Sequence, residues 1–123
     1  MQIQYLLTAI ILVVLDGIYL NSVQSLFQRQ IKAIQGTDMK INFIGAAICY
    51  VFLIFGLNYF IIRKNKSPTD AALLGLVIYA VYEFTNYALF DKWSLFTVLI
   101  DTTWGAILFG LTTLIVYQFN KLF

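Results

Sequence analysis

Histidine is absent, cysteine and proline occur once each, and only 11% of the 123 residues are charged. Without histidine there is no His-based catalytic triad, no His-ligated haem and no Cys/His zinc site. A single cysteine excludes an intramolecular disulfide. Soluble domains carry about 25% charged residues and are less than half apolar. Here 61% of residues are hydrophobic and the mean hydropathy is +0.83, too little polar surface to cover a water-soluble globule. That excludes a cytosolic enzyme, a disordered tail and a disulfide-stapled secreted module. The eight basic residues are scattered and the net charge is only +2, so nucleic acid is not an expected partner. The remaining class is a small integral membrane protein whose partner is the lipid bilayer.

What is present is long apolar runs. A helix needs about 20 mostly apolar residues to cross the hydrocarbon core. Ile41 to Ile62 contains no charge, Ala71 to Phe90 only Glu83, Trp93 to Asn120 only Asp101, and Ile3 to Leu20 only Asp16. The first run lacks the basic start and small-residue cleavage site of a signal peptide, which favours a retained helix. The sequence therefore predicts an all-α, polytopic protein over 1–123: an up-down bundle of four transmembrane helices near 3–20, 41–62, 69–90 and 94–118. Ser67-Pro68-Thr69-Asp70 has the cap, N1 proline and early acid of a helix start. Between the first two spans, Val23, Leu26, Phe27, Ile31 and Ile34 recur at helical spacing among polar residues. That pattern predicts an interfacial amphipathic helix, or a continuation of the first span bent over at the surface.

Four spans put both termini on one side. Arg63, Lys64, Lys66 and Lys121 share that side, and Arg29, Lys32, Lys40 and Lys92 the other. The basic residues split evenly; the denser Arg63–Lys66 loop favours termini in the cytoplasm.

Three of the six acidic residues lie inside spans: Asp16, Glu83 and Asp101. A charge at the bilayer centre costs roughly 2.5–3.5 kcal/mol on insertion scales, and no lysine or arginine lies in a span to pair with them. Counted from helix ends near Ser22, Phe90 and Ser94, each carboxylate lies about 9–11 Å beneath the same surface. One polar cluster at one depth is the expectation, holding at least one proton at neutral pH and titrating as a unit. Tyr79, Glu83, Asn86 and Tyr87 share one face of the third span. Thr97, Asp101, Trp104 and Gly105 share one on the fourth, and Asp16 and Tyr19 one on the first. Candidate ligand- or ion-binding residues are therefore Asp16, Glu83, Asp101, Asn86, Tyr79, Tyr19, Thr97 and Trp104. Gly105, Gly75 and Gly45 are candidate helix-packing glycines. Tyr5, Tyr59, Phe60, Trp93 and Tyr117 suit the membrane-interface belt. Asn58 and Thr112/Thr113 suit structural roles.

The series Leu15-Asp16-Gly17-Ile18-Tyr19-Leu20, Tyr82-Glu83-Phe84-Thr85-Asn86-Tyr87 and Asp101-Thr102-Thr103-Trp104-Gly105 resembles an uncharacterised family of small predicted membrane proteins, a domain of unknown function. Its motifs are L-D-x-x-W-L, Y-D-x-T-N and D-x-x-W-G, along the whole chain. Tyr19 stands where that family has tryptophan and Glu83 where it has aspartate. The resemblance implies that Asp16, Glu83, Asn86, Asp101, Trp104 and Gly105 are signature positions, and it implies no activity.

Intramembrane acids without basic partners suit a proton, a cation or a small cationic solute, which points to a translocator or channel subunit. Four helices are few for a pathway, so a homo-oligomer or a place in a larger membrane complex is expected, with Ala71/Gly75 and Gly45/Ala46/Cys49 as contact faces. The alternative is a structural or assembly subunit, the cluster acting as interhelical glue. A lipid-modifying enzyme ranks last: no histidine, reactive-cysteine motif or metal-ligand pattern beyond the three acids is present. The expectation is no catalytic residue, no metal and no cofactor.

Overall fold

The computed structural model describes residues 2–122, and every regular element among them is helical. The helices are α1 (Gln2–Gln35), α2 (Phe43–Leu57), α3 (Pro68–Leu89) and α4 (Leu95–Leu122). α2 continues into a π-helical turn, Asn58–Ile62, so that all four segments are long and apolar enough to cross a membrane.

Local chemistry sets the boundaries. The Asn42 side chain accepts from the Gly45 amide (3.0 Å) at the start of α2. Ser67 Oγ accepts from the Asp70 amide (3.1 Å) at the start of α3, with Pro68 at its first position. Ser94 Oγ accepts from the Thr97 amide (3.1 Å) as α4 begins. Each is a side-chain oxygen satisfying an amide that has no partner within the helix. Gly36 ends α1 at φ +78°, a conformation that favours glycine. The π-helical turn begins at Asn58, which is buried. Its Nδ2 donates to the Ile54 carbonyl (2.9 Å) and its Oδ1 accepts from Thr8 Oγ1 on α1 (3.3 Å). The Arg63 amide then reaches back five residues to the Asn58 carbonyl (2.8 Å).

The interfacial helix expected between the first two spans is not a separate element. Val23–Gln35 prolong α1, which at 34 residues is about 50 Å long. No proline or glycine interrupts the chain between Gly17 and Gly36, and Ser22 Oγ donates to the Ile18 carbonyl of the preceding turn (2.9 Å), so nothing breaks the helix. Gln30 fastens this extension to the α3–α4 connection. Its Nε2 donates to the Lys92 carbonyl (2.8 Å), and its Oε1 accepts from the Ser94 amide (2.6 Å) and Thr97 Oγ1 (3.1 Å).

α3 and α4 form the tightest pair, α1 lies along α4, and α2 packs on α1, whereas α2 and α3 barely touch. Glycine allows the α3–α4 approach: a Cβ on Gly75 would collide with the Gly105 backbone, and one on Gly105 with the Tyr79 ring. Ala71 and Gly75 are thus buried within the chain and not free as an outer contact face. Gly45 is exposed, and the nearest atoms to a Cβ there belong to Asn42 of its own cap; within the chain α2 packs through Leu53 and Leu57.

The surface is inverted relative to a soluble protein. Thr8, Asp16, Asn58, Glu83, Thr97, Asp101, Thr102, Thr112 and Thr113 are buried, while Val13, Ile18, Phe52, Val77, Val81, Leu99 and Ile107 point outward. Hydrocarbon around the bundle accounts for both halves of that pattern.

Candidate functional site

The buried acids are held by aromatic donors from neighbouring helices. Asp16 accepts from the Tyr50 hydroxyl on α2 (2.5 Å) and from Trp104 Nε1 on α4 (2.9 Å). Asp101 on α4 accepts from the Tyr19 hydroxyl on α1 (3.0 Å). The Tyr19 and Trp104 rings stack at 4.5 Å with an interplanar angle of 6°, so one aromatic pair carries donors to two carboxylates. Glu83 on α3 is wholly buried; its Oε1 accepts from Trp93 Nε1 (2.8 Å), and its Oε2 has no hydrogen-bond partner.

The Asp16–Trp104 and Tyr19–Asp101 bonds tie α1 to α4 across these two carboxylates. Among the described residues, no three His, Cys, Asp or Glu side chains converge as metal ligands would.

The gap left where α2 and α3 diverge is a cleft of about 430 Å³, lined by Asp16, Tyr19, Tyr79, Tyr82, Asp101 and Cys49 together with aliphatic side chains and Phe27. No lysine or arginine lines it. Cys49 on α2 and Tyr82 on α3 are exposed at its edges, so the cleft faces the lipid between those helices. Its volume is that of a small-molecule site.

The remaining candidates fall outside this arrangement. Thr97 is buried, but its hydroxyl joins Ser94 Oγ (2.8 Å) and Gln30 at the head of α4, away from the carboxylates. Asn86 is half-buried and its side chain neighbours the Tyr82 hydroxyl. Tyr79 presents its ring to Gly105 and the cleft. Trp93 is not a belt residue: it is 5% exposed and holds Glu83. Tyr59 and Tyr117 do lie at the opposite end, Tyr59 beneath the Arg63 guanidinium (4.1 Å) and Tyr117 donating to the Lys66 carbonyl (2.6 Å). Tyr50 and Gln30 escaped the sequence reading. Tyr50 had a signal, since Tyr50, Leu53 and Leu57 fall on one helical face; Gln30 had none beyond its place among polar residues.

Fold and site together define a four-helix membrane protein with acids buried among tyrosines and tryptophans. The chain belongs to the DUF2177 family of predicted membrane proteins, whose family model matches residues 1–118. No curated protein and no solved structure matches it.

Proposed function

We propose that the protein binds a small organic cation in the cleft between α2 and α3 and moves it across the bilayer, as a translocator or channel subunit. The observation that carries this reading is the pairing of Asp16 and Asp101 on one largely apolar cleft without a basic residue. Two acids supply charge, and the rings of Tyr19, Tyr79, Tyr82 and Phe27 supply faces that attract a cation. The volume of about 430 Å³ far exceeds a bare metal ion and suits an ammonium compound such as tetraethylammonium. Access from the lipid side suits a cation with apolar substituents. Four helices are few for a complete path, so the working unit is an oligomer or part of a larger complex. The dense Arg63–Lys66 loop supports termini in the cytoplasm.

The test is uptake of labelled tetraethylammonium into proteoliposomes. Asp16→Asn and Asp101→Asn should each abolish uptake while the thermal midpoint stays near that of the parent. Uptake in both variants equal to that of the parent contradicts the proposal.

A second reading, an assembly subunit with interhelical glue, has its own support: Asp16 and Asp101 already bind donors from other helices. On that reading the same substitutions lower the midpoint, and wild-type vesicles take up no more than protein-free ones.

A further inference from the structure

The polar end of α1 carries a second concavity, which shares no residue with the cation cleft. It is a cleft of about 380 Å³ lined by Ser25, Gln28, Arg29, Lys32, Asp38 and Met39. One wall is a single face of α1, on which Ser25, Arg29 and Lys32 recur at helical spacing. The other is the link to α2, folded back beside the helix. Gly36 turns the chain at φ +78°, and Gln35 Nε2 then donates to the Thr37 (3.1 Å) and Asp38 (2.8 Å) carbonyls. Asp38 thereby comes to 3.6 Å from Lys32 Nζ, while Arg29 has no ion-pair partner among the described residues. With two cations against one carboxylate, the cleft keeps one positive charge. Gln30, on the turn between the two basic residues, bonds the Lys92 carbonyl and the Ser94 amide, so this part of α1 lies beside the α3–α4 connection, where the spans end. Val14 and Ile18 continue the same face of α1 into the span and are exposed. The face is apolar along the span and cationic where the span ends, which is the order of an acyl chain and its phosphate.

We propose that this cleft holds the headgroup of an anionic phospholipid, with its phosphodiester on Arg29 and Lys32 and an acyl chain along Ile18 and Val14. Arg29 supplies the paired N–H donors that fit two phosphate oxygens. Lys32 has three donors and serves Asp38 and the phosphate together, and Ser25 and Gln28 offer polar hydrogens to the rest of the headgroup. The one surplus positive charge matches one phosphodiester. A choline lipid carries the same phosphate beside a quaternary ammonium, which the two basic side chains repel, so the cleft selects the anionic headgroup.

The test is electron spin resonance of chain-labelled phosphatidylglycerol and phosphatidylcholine around the purified chain, reconstituted in phosphatidylcholine at low salt. The motionally restricted fraction should prefer phosphatidylglycerol about fivefold, the attraction of one basic side chain for an anionic headgroup. The preference should vanish in Arg29→Gln, and in Ser25→Phe, which fills the cleft without changing its charge. Lys92→Gln removes a basic residue outside the cleft on the same side of the membrane and should keep the preference. All three residues are exposed, so the unfolding midpoint should stay near that of the parent. No preference in the wild type, or one that survives Arg29→Gln or Ser25→Phe, overturns the site. An equal loss in Lys92→Gln also overturns it, because the attraction then belongs to the whole surface. Inorganic phosphate, exchanged for chloride at constant ionic strength, should leave the labelled lipid in place; displacement would assign the cleft to free phosphate and overturn the lipid.

Discussion

Trp93 and Glu83 show how a buried acid is kept in a membrane helix. The indole N–H reaches Glu83 Oε1 at 2.8 Å while the ring packs near Phe27 and Phe90. Trp93→Phe keeps an aromatic ring but removes the donor, leaving Glu83 with no fixed hydrogen bond. A loss of about 1–3 kcal/mol is expected, read as a lower midpoint in thermal unfolding. Trp93→Phe combined with Glu83→Gln should cost less than the sum of the two single changes, because the second substitution removes the acid that the first left unpaired. Full additivity would mean that the bond does not matter. That Glu83 and Asp101 turn into the bundle could be read from their places inside apolar spans. That Trp93 turns inward could not, because its place at a span end equally suits a belt residue and only the fold of the five-residue connection decides.

Among the helices, the α3–α4 hairpin is the rigid half and α2 the loosely held one. Gly75 and Gly105 face each other so closely that an added Cβ meets backbone, which cannot rotate away. Gly75→Ala should therefore cost about 1–3 kcal/mol or more, seen as a lower unfolding midpoint. Gly45→Ala, whose Cβ would find ordinary contact with its own cap, should leave the midpoint unchanged. Equal effects would refute the assignment of the close crossing to α3 and α4. The four spans and the start of α3 were legible because apolar run length and the Ser67–Pro68 cap are local properties. The length of α1 was not. Its polar tail reads as interfacial by composition, and what keeps it on the hairpin is long-range: the Gln30 hydrogen bonds and the packing of Phe27 near Trp93.

The molecule as a whole turns its polar side chains inward and its large aliphatic ones outward, then leaves one side open where α2 and α3 part. The Asp16–Asp101 cleft lies on that open side. Position within the chain already set these acids apart from Asp38, Asp70 and Asp91 in loops and caps, but the cleft itself depends on how loosely α2 packs, which no local pattern records. The most direct test is calorimetric titration of tetraethylammonium into the purified protein, with four variants beside the wild type. One saturable site is predicted for wild type and for the loop variant Asp91→Asn. Binding should be lost in Asp16→Asn, in Asp101→Asn and in Cys49→Phe, which fills the cleft while leaving both carboxylates in the chain. No saturable binding to the wild type, or binding by Asp16→Asn and Asp101→Asn as tight as that of the wild type, would contradict a cation site between these helices.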